Sequence, residues 1–143
     1  MIDDEYRFID RLEDRHIHDL HTLYQGEWWS RGRTLEEARR GVEGSDEVFA
    51  FCRRSDDHLV AFARVLTDGV FKALIFDVIV AAPCRRHGLG RALITRILEN
   101  PVIGAVRHLE LYCRPELKSY YEQWGFSADL PEVNFMRRLC QRP

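Results

Sequence analysis

The chain has 143 residues with 45% hydrophobic and 31% charged side chains, the balance of one soluble globular domain. Its net charge of −2 speaks against a general nucleic-acid binder, which needs a strong basic excess. No apolar run approaches the roughly 18 residues needed to span a membrane, and the amino terminus, Met1-Ile2-Asp3-Asp4-Glu5, lacks the basic and apolar parts of a signal peptide. Cys52, Cys84, Cys113 and Cys140 are widely spaced, as expected of reduced thiols in a cytoplasmic protein.

Residues 6–13 read as a first strand on the strength of Tyr6, Phe8 and Ile9. A helix follows, with Ile17, Leu20, Leu23 and Tyr24 at helical spacing. His16, His18 and His21 lie on it as solvated side chains, because positions two apart face different ways and no thiol or carboxylate completes a metal set. No metal is expected. The segment Glu27-Trp28-Trp29-Ser30-Arg31-Gly32-Arg33 is too irregular for an element. Its two tryptophans either cap the core or line an acceptor pocket. Thr34, with Glu37 three residues on, forms a capping box that opens a second helix.

Residues 47–80 read as a three-strand meander: 47–53, a turn at Ser55-Asp56-Asp57, then 58–67, a hairpin at Asp68-Gly69, and 71–80. Asp77 is anomalous among apolar neighbours and needs a partner or a task. A two-residue turn sets Arg64 opposite Ala73 and Asp77 opposite Val60, on one face but not touching. Pro83 then stops any strand, and Arg85-Arg86-His87-Gly88-Leu89-Gly90-Arg91 leads into a helix carrying Leu93 and Ile97. Glycines at a helix start, with like-signed arginines, suit a phosphate. That helix ends at Asn100-Pro101. A strand over 107–113 follows, then a short helix from Pro115 closed by Gly125, and a last pair of strands from Phe126, with 134–139 the clearer.

Neither the P-loop nor the dinucleotide spacing fits the glycine turn. The run Arg85-Arg86-His87-Gly88-Leu89-Gly90 instead resembles the acetyl-CoA signature of the GNAT superfamily of N-acetyltransferases, Arg/Gln-x-x-Gly-x-Gly/Ala. Tyr120-Tyr121-Glu122-Gln123-Trp124-Gly125-Phe126 resembles that family's aromatic-Tyr-x-x-x-Gly-Phe segment. Together the matches cover about 50 residues at the family's separation. Arg114 departs from the pattern, since the family often has a CoA-contacting asparagine there.

The resemblance implies an α+β fold: a single domain over 1–143, with a mixed, mostly antiparallel twisted sheet of six or seven strands and about four helices. It also implies an acetyl-CoA-dependent N-acetyltransferase acting directly on a primary amine of a small molecule or peptide. Acetyl-CoA would contact Val78, Ile79, Val80, Arg85, Arg86, His87, Gly88, Leu89, Gly90, Arg91 and Tyr121. Backbone at Ile79–Val80 would meet the developing oxyanion. Tyr121 would be the general acid, and Asp77, a water held by it, or a loop residue the base. Trp28, Trp29, Arg31 and Arg64 would border the acceptor. The expected partners exclude nucleic acid and membrane, and the expected assembly is a monomer or homodimer. A non-catalytic acetyl-CoA sensor and a plain phosphate binder are the alternatives, and the paired presence of Tyr121 and the glycine loop disfavours both.

Overall fold

The computed structural model describes residues 2–141; Met1, Arg142 and Pro143 of the predicted 1–143 domain lie outside the described residues. Residues 2–111 form one compact unit and residues 112–141 a second.

In the first unit the order is α1 (Ile2–Glu5), β1 (Tyr6–Ile9), α2 (Asp14–Gln25), α3 (Leu35–Glu43), β2 (Glu47–Arg53), β3 (Leu59–Thr67), β4 (Lys72–Val80), α4 (Leu89–Glu99), α5 (Pro101–Gly104) and β5 (His108–Glu110). The sheet runs β1-β2-β3-β4-β5, antiparallel except for the parallel β4–β5 pair. β2 and β3 are apolar almost throughout because both their faces are covered. Val48, Ala50 and Cys52 join a core with Ile17, Leu20 and Tyr24 of α2 and Ala38 of α3. Alternation turns Phe49 and Phe51 to the other face, where Phe8 packs on both and α4 buries Leu93, Ile94 and Ile97. Each such side chain contributes about 1.5–3 kcal/mol on burial.

The predicted elements of this unit are present, some of them shorter. The capping box at the start of α3 forms, with Glu37 N–H donating to Thr34 Oγ1 at 3.0 Å and Thr34 N–H to Glu37 Oε1 at 2.9 Å. The hairpin after β3 is longer than two residues. The Asp68 carboxylate accepts from the N–H groups of Val70, Phe71 and Lys72, so Thr67 pairs with Ala73 and the register moves. His16 is also a correction. It is buried, because its Nδ1 accepts from Glu13 N–H at 3.0 Å in a second capping box and its Nε2 lies 3.2 Å from Asp57 Oδ2.

In the second unit a 3₁₀ turn, Pro115–Leu117, leads into α6 (Lys118–Glu122), and Gly125 closes the segment at φ +88°. No strand forms among the described residues after Phe126, so the sheet has five strands rather than six or seven, and there are six helices rather than four. The expected strand at 134–139 lacks the alternation that would bury one face: Phe135 and Met136 are adjacent and both exposed, and Arg137 and Arg138 are adjacent. Instead Phe135 packs on Tyr112, and the Arg137 guanidinium lies over both rings.

Candidate active site

β4 carries the site because it is irregular. Phe62 pairs with Ile79 and Arg64 with Phe76, which leaves Ala63 opposite two residues, Asp77 and Val78. This is a bulge, and Asp77 takes φ +58° to make it. Asp and Asn tolerate that region better than other side chains do. The bulge brings Arg64 onto Asp77, so the two touch, contrary to the register of a two-residue turn.

Asp77 has a 6% exposed side chain and accepts three close hydrogen bonds on Oδ2: from Tyr24 Oη at 2.9 Å, Arg33 Nη1 at 2.8 Å and Arg64 Nε at 2.8 Å. Its Oδ1 accepts only a long one, 3.4 Å, from Arg33 Nη2. Burial pulls the carboxyl's pKa up, but the hydrogen bonds and charge of the two arginines outweigh it and hold the group below the usual carboxylate range. The functional reading of Asp77 needed the opposite shift. Burial and the Asp77 charge raise the Tyr24 hydroxyl, keeping it a donor. Arg33 lies 4.5 Å over the Tyr24 ring and 5.4 Å over Trp29, and Arg64 lies 5.0 Å over Phe76.

Ala81 N–H donates to Val60 O, so β4 turns Ile79 toward β3 and Val80 toward its other edge. On that edge β5 pairs only with Lys72–Leu74. Of the two predicted oxyanion donors, Val80 alone points its N–H away from the β3 ladder. Its carbonyl accepts from Arg85 Nε at 3.1 Å, while Arg85 Nη2 binds Glu27 Oε1 at 2.7 Å.

The basic turn follows. Arg86 stands at φ +69° and Gly88, the residue before α4, at φ +86°, with no side chain capping the helix. The first α4 bond is Ala92 N–H to Gly88 O, so the N–H groups preceding it have no acceptor within the helix. A Cβ on Gly88 would stand 3.2 Å from Ile2 Cδ1 and would be strained by the φ angle. His87 is placed by Tyr6, whose hydroxyl is 2.8 Å from its Nδ1. Leu89 is buried and offers only backbone, whereas Arg85, Arg86 and Arg91 are exposed. This turn fits a phosphate group.

The tryptophans do not cap the core: Trp28 is 64% and Trp29 37% exposed, and Trp29 meets Tyr24 edge-on. Arg31 is exposed. Tyr24 and Glu27 were not among the predicted site residues, and Arg33, which with Arg31 and Arg64 would suit an acidic acceptor, is instead paired with Asp77. Periodicity marked Tyr24 as a core position, and nothing in the sequence indicates that its hydroxyl spans to β4. In the second unit, Tyr121 is buried among Tyr120, Trp124 and Phe126. Burial, with Tyr120 and Cys113 nearby, pushes its hydroxyl up to about 12. Arg114 pairs with Glu116 at 3.0 Å.

The acetyltransferase (GNAT) family model matches residues 14–126. The chain belongs to the GNAT family. Serotonin N-acetyltransferase 2, chloroplastic, of Oryza sativa subsp. japonica is 36% identical over 106 residues, 73% of this chain and 53% of the rice protein. A GCN5-related N-acetyltransferase 1, chloroplastic, of Arabidopsis thaliana is 39% identical over 70 residues, 49% of this chain and 36% of that protein. The chain thus spans about half or less of the length of these two plant relatives. A solved GNAT-family structure from Xanthomonas campestris pv. campestris superposes with TM-score 0.79 at 26% identity, covering 94% of this chain and 93% of its own. No helix among the described residues is long and apolar enough to cross a membrane.

Proposed function

We propose that residues 1–143 serve as one acetyltransferase domain that moves an acetyl group from acetyl-CoA directly to a primary amine of a small molecule or peptide. The observation that carries this is the continuity of the bulged β4, its outward-facing Val80 and the uncapped turn at Gly88. Acetyl-CoA brings the activated acyl thioester. The backbone of 85–91 holds its phosphates, and the Val80 N–H is aimed where the carbonyl oxygen gains charge. Tyr121 supplies the proton to the departing thiolate; burial raises its hydroxyl to about 12 and keeps it protonated near neutral pH. Asp77 holds the bulge in shape and takes no proton; the proton lost by the amine passes to water or to a group of the acceptor loop. Trp28, Trp29 and Arg31 border the acceptor, and the rice relative's name, an aromatic primary amine, agrees with that exposed aromatic loop. We place the protein in an aqueous compartment, the cytoplasm or a plastid stroma, as a monomer or homodimer.

The test is a panel of primary amines (arylalkylamines, polyamines, amino sugars, peptide amino termini) scored for CoA release from acetyl-CoA, beside calorimetric titration of acetyl-CoA. Binding with amine-dependent release supports the reading; neither binding nor release ends it. Gly88→Asp should abolish the binding. Tyr121→Phe should lower turnover roughly a hundredfold with the acetyl-CoA Kd little changed.

A further inference from the structure

Arg85 belongs to the phosphate turn, yet its side chain does not turn toward the N-terminus of α4. It lies back along β4, with Nε on the Val80 carbonyl at 3.1 Å and Nη2 on Glu27 at 2.7 Å. Glu27 begins the loop that presents Trp28, Trp29 and Arg31, and its carbonyl holds that loop's turn by accepting from Ser30 and Arg31 N–H. One guanidinium therefore ties together the turn expected to hold the donor, the strand edge expected to align it, and the loop expected to border the acceptor. The Glu27 side chain is 23% exposed and the Arg85 side chain 55%, so the pair lies at the surface and can part at small cost.

Resting on the acetyl-transfer reading, we infer that the Glu27–Arg85 pair is a latch: Arg85 covers the Val80 carbonyl until the acyl donor displaces it, and the Glu27 carboxylate so released recognises the acceptor's ammonium group. Two features support the sequence of events. The Val80 carbonyl is the last acceptor on the strand edge that β5 leaves unpaired, so a donor aligned along that edge competes directly with Arg85. Arg85 also has a second anionic partner to move to, since the turn that suits phosphate starts at its own backbone. Glu27 has fewer alternatives. Of its two cationic loop-mates, Arg33 is committed to Asp77, and Arg31 is exposed to water. Once Arg85 leaves, an ammonium arriving in the acceptor loop finds the Glu27 carboxylate as its partner of opposite charge.

The consequence is donor-first binding, with Glu27 a positioning residue for the amine rather than its base. Glu27→Gln separates this from a mere loop anchor. Without the carboxylate, Arg85 is released and acetyl-CoA should bind about twofold to fivefold tighter, the span of an exposed ion pair. The KM of the best amine in the panel should rise about tenfold or more, as for a lost charged hydrogen bond, with kcat within threefold. Glu27→Asp should restore the amine KM in part. Calorimetry and steady-state kinetics read these effects in the intact protein. An unchanged or weaker acetyl-CoA affinity in Glu27→Gln overturns the latch, and an unchanged amine KM overturns the recognition role. Failure of the wild-type protein to bind acetyl-CoA at all overturns the acetyl-transfer reading instead.

Discussion

Two carboxylates in the first unit are built alike. Asp57, in the turn between β2 and β3, has φ +57° and is held by Arg7, Arg15 and His16. Asp77, in the middle of β4, has φ +58° and is held by Arg33, Arg64 and Tyr24. Each is a left-handed aspartate carrying two guanidiniums and one ring-borne donor. What differs is where the strain is placed. At a turn, a left-handed residue costs little and redirects only the loop. In a central strand it makes a bulge and hence sets how the rest of β4 runs to Val80. Asp77 is also the drier of the two, with 6% of its side chain exposed against 22% for Asp57. The same polar unit is thus a surface staple in one place and the frame of the candidate site in the other.

The comparison also bears on metals. Contrary to the expectation that no thiol or carboxylate completes a set, a His16 ring nitrogen, Cys52 Sγ and an Asp57 carboxylate oxygen lie within 4.8 Å of one another. His16 Nδ1 accepts a backbone N–H, so its proton sits on Nε2, the atom that would have to ligate. Burial, with the Asp57 charge next, pushes the Cys52 thiol up to about 12, and Arg7 and Arg15 occupy the carboxylate. The cluster reads as a hydrogen-bonded network.

Truncation should break the likeness most sharply. Asp77→Ala leaves two guanidiniums and a buried phenol facing one another, and should cost about 3 kcal/mol, the low end for a broken buried pair because both arginines keep some contact with water. Asp57→Ala should cost about 1 kcal/mol, in the range of exposed pairs. Urea unfolding of the two variants checks this, and equal costs would mean that burial does not distinguish the sites.

A smaller difference should appear with pH. Both carboxyls are held below the ordinary value of 3.8, Asp77 by its arginines against the pull of burial and Asp57 chiefly by the Arg7 hydrogen bond. A depressed carboxyl contributes stability above its unfolded-state pKa and loses it as pH falls through the folded one. Unfolding free energy should therefore be level near neutrality and decline below about pH 4. In Asp77→Asn and in Asp57→Asn that acid decline should be shallower, more so for Asp77. A wild-type curve flat down to pH 2 would contradict both assignments.

The parts of this architecture legible in the sequence were those written in short-range chemistry. Thr34 with Glu37, Gly88 after a basic run, and the apolar strands at 47–80 each declare themselves within a few residues. Asp77 was legible as an anomaly, but its solution was not. The bulge depends on how many residues the Asp68 loop absorbs, and the Asp68 carboxylate, by accepting from three backbone N–H groups, diverts a hairpin that the Asp68-Gly69 pair alone predicts to be tight. That change of register sets Arg64 opposite Phe76, and the bulge next to it turns Asp77 onto Arg64. Tyr24 and Arg33, 53 and 44 residues away in the chain, could not be linked to Asp77 by any spacing rule. The strands expected after Phe126 failed for a related reason: a strand needs a partner, and apolar residues at Phe135 and Met136 do not specify one.

The smallest expected effect is the most discriminating for mechanism, and it concerns Asp77→Asn. All three close donors converge on Oδ2. An asparagine can place its carbonyl oxygen there and keep the three bonds in neutral form. Its amide then falls where Oδ1 was, beside Arg33 Nη2, the one partner already at 3.4 Å. The substitution thus preserves the bulge and removes only charge, at a cost of about 1.5–3 kcal/mol, the span for hydrogen bonds to charged groups. As a frame, Asp77 should then be dispensable in the chemistry: turnover within about threefold of wild type, and the acidic limb of the pH–rate profile in place. As the base, it would leave acetyl-CoA binding intact while turnover collapsed and that limb vanished. Two neighbouring cations that hold the carboxyl ionised also deprive it of driving force to take the amine's proton, and this favours the frame. Loss of the acidic limb in a folded Asp77→Asn protein would reverse that assignment.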